Sequence, residues 1–407
     1  RQMCIRDSYK ENMRVLYFMN HADQGGAALA LYDLIVEIKK TSDIVPVVIT
    51  GKNNNLNKML SDIGIENYSA PFKNFMSSSK NPEWLFKGLL KIRYSIGQQI
   101  AIRKIEKIID FSTIDIIHTN LNRIDIGAIL AKKYDIPHIW HIREHADGRD
   151  FKLISLKKNP IEYMNSFASK HIYISKSVKN VWDEKGLNNQ NGYIIYDGVR
   201  TELYHQNFEK RSKKLHMIFL GGYAESKGQE NLIDALKDLR QEDKDKIVID
   251  FFGNGSEEYV KKLKNKIEKN GLLSIMNIHP YQQNIWKIVP DYDVGLTCSH
   301  LEGFGRVTVE YMMAGLCPIA SNGGATPEIV QHGETGILYD SLDEGSLRDA
   351  IIWAINNPEA VHRIGENAAK SARRCFSMEK HAKEIKKLYY EVLKDAHTDV
   401  LDCSSCI

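Results

Sequence analysis

The chain has 407 residues, 55 of them basic and 52 acidic, for a formal net charge of +3. That balance excludes a polycationic nucleic-acid binder, so no nucleic-acid partner is expected. With 43% apolar, 26% charged and 9% aromatic residues, the composition excludes wholesale disorder and fits a globular protein of two or three domains.

No apolar run reaches the roughly 18 residues of a membrane span, and no charged-apolar-small cassette opens the chain, so a cytoplasmic protein is expected. Six cysteines are too few for a disulfide framework, and reduced thiols are expected. Cys403 and Cys406 form a C-x-x-C pair, but no second pair completes a tetrahedral zinc site. The opening RQMCIRDS has neither period nor capping signal and reads as cloning sequence, with Met13 nearer the natural start.

From Arg14 onward, β-branched runs alternate with stretches of helical period, the pattern of parallel α/β layers. Strands are predicted at 15–20, 44–50, 114–118, 138–142, 170–175 and 193–196. Residues 197–214 are polar and turn-prone and read as a connector. The alternation resumes with strands at 215–221, 246–253, 274–280, 292–297, 316–321 and 336–340. The expected organisation is a domain over 13–196, a second over 215–378, and a helix over 379–396 packing back on the first. Residues 1–12 and 397–407 are expected to be irregular tails. Ligands of such sheets bind beyond the carboxyl ends of the strands, so a cleft between the halves is the geometric expectation.

The first predicted strand runs into His21-Ala22-Asp23-Gln24-Gly25-Gly26, where the glycines expose amides at a helix start suited to an anion. The common nucleotide motifs fail. Glu258 replaces the third glycine of G-x-G-x-x-G after Gly253 and Gly255, and no P-loop occurs, which sets aside dehydrogenase and P-loop ATPase readings.

Residues 292–328 are the densest region. A strand ends near Thr297, a loop carries Glu302-Gly303-Phe304-Gly305, and a helix is predicted from Arg306 to Ala314. Glu302 and Glu310 could grip two parts of one elongated ligand by accepting hydrogen bonds from hydroxyls, although acids at a helix start are also common for dipole reasons alone. Ser321-Asn322-Gly323-Gly324-Ala325-Thr326-Pro327-Glu328 reads as another helix start, with Thr326 as cap. Gly221 to Gly228 forms a third loop, in which Lys227 could place a cation on a diphosphate.

These residues resemble the retaining glycosyltransferases of family 4, from about Arg14 to residue 396. The most specific element is the E-x7-E block EGFGRVTVE, Glu302 to Glu310. The resemblance implies the GT-B fold, an α/β class with two Rossmann-like domains facing across a cleft. The first domain would take the acceptor and the second the nucleotide-sugar donor. It also implies that Glu302 contacts the donor sugar, Glu310 the ribose, and Lys227 the diphosphate. Phe304 and Gly305 would offer backbone amides, and Gly25-Gly26 would lie beside the phosphates. The family's loop has arginine where this chain has Gly222, and Arg306 is the candidate replacement. IDIIHTN would deliver His118 or Asn120 toward the sugar, a choice the sequence leaves open, and Arg143 in the next strand end points the same way. The resemblance thus implies that His118, Glu302 and Lys227 orient sugar and phosphate and carry the chemistry.

Some residues invite other readings. His141 and His145 have the spacing of a helical zinc pair, but the glutamate is misplaced for H-E-x-x-H. Asp291-Tyr292-Asp293 matches D-x-D but opens a predicted strand, so a donor site without divalent metal or other cofactor is expected, with dipoles and cations holding the diphosphate. Trp84 to Ile109 mixes apolar and basic residues at helical spacing. It reads first as a packed helix and second as a contact with the inner face of the cell membrane. The expected activity is transfer from a nucleotide diphosphate sugar to a glycan or lipid-linked saccharide with retention, as in polysaccharide biosynthesis. The alternatives are an epimerase or hydrolase, and a non-catalytic nucleotide-sugar binding subunit, for which Gly222 is the best support.

Overall fold

The computed structural model describes residues 12–20, 25–41, 43–79, 87–148, 151–187, 189–205, 214–343 and 345–404. The readings of RQMCIRDS, His21 to Gln24, Trp84, residues 206–213 and Cys406 lie outside them. The chain divides into two compact units. The first holds the described residues up to Ile174, Val178–Ile195 and those from His381 on; the second holds Ser175–Ser177 and Tyr196–Lys380.

In the first unit the strands are β1 Met13–Met19, β2 Ile44–Thr50, β3 Glu66–Ser69, β4 Met76–Ser79 and β5 Ile116–Thr119. There follow β6 His138–Ile142, β7 Asp147–Gly148, β8 Phe151–Ser155, β9 Lys170–Tyr173 and β10 Gly192–Ile194. Seven of them form a parallel sheet of order β10-β9-β6-β5-β1-β2-β3. Its central strands are buried along nearly their whole length, as expected when helices cover both faces. The chain builds from β1 outward to β3 and then crosses to β5, so the order reverses between β1 and β5. A second, antiparallel sheet of β4, β8 and β7 has no counterpart in the predicted strands.

The last helix, Met378–Ser404, carries residues 397–404 as helix, correcting the irregular tail expected there. Its Tyr389 hydroxyl lies 2.6 Å from Nδ1 of His118 and donates to the Tyr17 hydroxyl at 2.9 Å. Lys386 pairs with Asp43 at 2.7 Å.

The second unit has β11 Leu215–Leu220, β12 Ile247–Gly253, β13 Met276–Pro280, β14 Val294–Thr297, β15 Cys317–Ser321 and β16 Ile337–Tyr339. All pair in parallel, in the order β13-β12-β11-β14-β15-β16, so this sheet reverses between β11 and β14. Residues 197–205, expected as connector, belong to this unit. Val199 donates to Phe376 O at 2.9 Å and accepts from Met378 at 3.1 Å, and Arg373 donates to Tyr204 O at 2.8 Å. Among the described residues, no helix is long and apolar enough to cross a membrane.

Burial holds four histidines of the first unit below their ordinary range. His138 is pushed down to about 3 and His171 to about 4, and at His118 and His141 the charge of Arg143 adds to the effect of burial. These rings are therefore neutral in the folded state, whereas in the unfolded chain they titrate near pH 6.5. Below that pH the unfolded chain binds more protons, so their contribution is complete above about pH 6.5 and falls as pH drops toward the folded values, by up to about 1.4 kcal/mol per pH unit for each ring. Thermal melts should show Tm level above neutrality and falling between pH 6.5 and 4. Neither ring nitrogen of buried His171 has a hydrogen-bond partner, so His171→Leu should make that fall shallower; an unchanged slope would refute the assignment.

Candidate functional site

The carboxyl end of β11 leads into the Gly221–Gly228 loop, and the carboxyl end of β14 leads into the loop carrying Glu302. Both loops therefore leave the second sheet at its point of reversal, where open α/β sheets bind ligands. They meet through an ion pair, Lys227 Nζ to Glu302 Oε1 at 2.8 Å. The helix Arg306–Ala314 begins where the sequence predicts. Its cap is Gly305 at φ +91°, a conformation that favours glycine, and no side chain caps the helix start. The first amides thus carry the positive end of the helix dipole outward.

Glu310, buried in that helix, takes Arg306 Nε on Oε1 at 2.9 Å, while Arg306 Nη1 donates to Gly198 O at 3.2 Å. The guanidinium expected to replace the arginine missing at Gly222 is thus held by a carboxylate and a carbonyl. The side chain of Phe304 is buried, its ring 6.3 Å from Tyr196 and 5.8 Å from Phe376, so only its backbone is suited to a ligand.

Three contacts that fix the Glu302 loop were not read from the sequence. The Ser175 hydroxyl donates to Gly303 O at 2.6 Å, and Ala325 N donates to Glu302 O at 2.9 Å. Gly324, at φ +62°, lies so close that a Cβ would stand 2.3 Å from Glu302 O and 2.7 Å from its nitrogen. Glu328 closes the loop that follows, accepting from the amides of Lys176 and Ser177 and from the Tyr196 hydroxyl. Thr326 is the first helical residue rather than the cap, which corrects that expectation; the cap is Ala325. Tyr281, at the end of β13, was also missed. Burial and the nearby Glu310 charge raise its pKa.

In the first unit the predicted residues gather at the corresponding point. Gly25 caps the helix Gly26–Lys39, which follows β1, and Asn120 follows β5. Asn120 donates to Ala27 O at 3.3 Å and accepts from Arg143 Nε at 2.9 Å. His118 does not join them. It is fully buried, with Tyr389 on Nδ1 and His141 on Nε2 at 3.2 Å, so both ring nitrogens are committed within the core. Asn120, equally buried, is the member of the pair whose side chain reaches the first turn of the helix, whereas both ring nitrogens of His118 face other residues of the core.

His141 and His145 are both buried, His141 in β6 against His118. No group of three His, Cys, Asp or Glu among the described residues is arranged to hold a metal ion. Asp293 accepts from His216 N at 2.8 Å and so ties the start of β14 to β11.

Two glycine substitutions should behave oppositely. Gly324→Ala should cost roughly 2–4 kcal/mol and lower Tm by several degrees, because the new methyl meets backbone in a strained conformation. A Cβ at Gly26 meets nothing within 4 Å, so Gly26→Ala should be neutral or stabilising by up to about 1 kcal/mol. Denaturation of the two variants checks both.

Comparison with known proteins gives the family and the fold. A family model described as glycosyl transferases group 1 matches residues 200–371. An uncharacterised glycosyltransferase of Methanocaldococcus jannaschii is 28% identical over 379 residues, covering 88% of this chain and 99% of that one. A second from the same organism is 30% identical over 283 residues, covering 65% of this chain and 71% of its own length. The crystal structure of Anabaena HepE in complex with UDP and glucose superimposes with a TM-score of 0.76 at 21% identity, covering 93% of this chain and 100% of that one. The chain belongs to the group 1 glycosyl transferases and has their GT-B fold.

Proposed function

We propose that the protein is a retaining glycosyltransferase of family 4, which moves a sugar from a nucleotide diphosphate sugar to a hydroxyl of a glycan or lipid-linked saccharide. The observation that carries this reading is the pairing of both E-x7-E carboxylates with cations, Glu302 with Lys227 and Glu310 with Arg306, about one helix start at the sheet reversal. Glu302 would hold the donor sugar hydroxyls and Glu310 the ribose. Lys227 and the amides of Phe304, Gly305 and the first helical turn would receive the diphosphate, so that no divalent metal or other cofactor is needed. Gly25, Gly26, Asn120 and Arg143 would complete the phosphate and sugar contacts of the first unit. Arg306 would act by orienting Glu310. That HepE was crystallised with UDP and glucose makes a uridine diphosphate sugar the first donor to try.

In the proposed reaction the bond from the anomeric carbon to the β-phosphate oxygen breaks and a bond to the acceptor oxygen forms on the same face. The acceptor proton goes to the departing phosphate. Positive groups at the diphosphate stabilise the charge that develops there. The protein would work in the cytoplasm, at the inner face of the cell membrane, in polysaccharide biosynthesis.

Proton NMR of the first product should show the donor's anomeric configuration; an inverted product would overturn the retaining reading. Glu302→Gln and Lys227→Met should each lower kcat/KM by about 100-fold or more, whereas Gly26→Ala, tolerated by the fold, should raise the KM for donor. EDTA should leave the rate unchanged, and rescue by magnesium or manganese after chelation would refute the metal-free site.

A further inference from the structure

The helix Lys87–Glu106 has two apolar faces. One packs inward through Tyr94, Ala101, Ile102 and Ile105, all buried. Its orientation is fixed by hydrogen bonds: the Tyr94 hydroxyl donates to Asp125, and Gln98 donates to Asp125 at 2.7 Å while accepting from Lys73 N at 3.1 Å. The opposite face is apolar too. Leu89, Ile92, Ile96 and Ile100 follow at helical spacing and are 63%, 57%, 56% and 53% exposed. A soluble helix ordinarily turns charge to that side, and so continuous a stripe marks an interaction surface.

The stripe is rimmed by cations. Arg93, Arg103 and Lys104 are exposed on the turns beside it. The one acid of the helix, Glu106, is engaged by Lys133 and by the Tyr134 hydroxyl at 2.9 Å. A second copy docked here would bring two rows of arginine and lysine together. An anionic lipid surface would instead neutralise them while the apolar stripe enters the acyl boundary.

We propose that the outer face of the Lys87–Glu106 helix is a docking surface for anionic lipid bilayers. Ile92, Ile96 and Ile100 enter the interface, and Arg93, Arg103 and Lys104 sit among the headgroups. This rests on the membrane-associated part of the function proposed above and is independent of the chemistry of transfer.

The test is co-sedimentation of the full chain with vesicles of phosphatidylcholine containing 30% phosphatidylglycerol, without nucleotide or acceptor. Wild type should partition onto these vesicles at least about tenfold more than onto pure phosphatidylcholine, and lose that preference in high salt. Ile92→Ser/Ile96→Ser/Ile100→Ser should reduce partitioning by about tenfold or more, as should Arg93→Glu/Arg103→Glu, with unchanged melting temperatures. Variants that bind like wild type, a wild type that ignores lipid charge, or a dimer in light scattering that the triple variant dissolves would each overturn the proposal. Failure of the transfer reading would instead appear as absent sugar transfer by a chain that still binds vesicles.

Discussion

The peptide of Glu302 lies against Gly324 at a distance no side chain tolerates, and the geometry of the second unit's site follows from that approach. With the Ser175 hydroxyl on Gly303 and the Ala325 amide on Glu302 itself, the loop is held by its backbone, leaving the carboxylate to be aimed by Lys227. A charged group at the end of a strand is costly to orient by side-chain packing alone, because its charge favours water. Backbone fixation combined with a paired cation orients it instead.

The first unit solves a different problem. Its sheet is covered on both faces, yet polar groups run through it from the Tyr17 hydroxyl to Tyr389, His118 and His141. Burial raises both tyrosines and lowers both histidines, so every member of this chain is neutral. Neutral hydrogen-bonded groups can be buried at modest cost, and their directionality selects one seating of the last helix over the many that apolar contact alone would permit.

Strands 44–50 and 138–142 were legible to the residue because β-branched runs between turn signals leave little alternative. Glu66–Ser69 was not, because an edge strand of polar residues, ENYS, carries no apolar signal. The His118 and Asn120 ambiguity has a physical origin. In a strand buried on both faces, alternation no longer separates inward from outward positions, and His118 and Asn120 are both fully buried, so only their hydrogen-bond partners tell them apart. Lys227, Glu302 and Glu310 were legible as a set, since each sits just past a predicted strand or within the helix after it. Ser175 and Glu328 were not, because their roles depend on segments about 130 and 150 residues away in sequence meeting in space.

The first unit is discontinuous in the chain: the second is inserted within it, and the segment from His381 on completes it. Tyr389, which partners His118, follows it by 271 residues. On the ribosome, the central sheet of the first unit is made early and must wait with a bare helix-docking face until the last turn emerges. The second unit, contiguous apart from Ser175–Ser177, has nearly all its residues before then. Order of synthesis and order of completion are therefore reversed, and a product ending before His381 would keep the second unit while leaving Tyr17, His118 and His141 of the first without the helix that carries Tyr389.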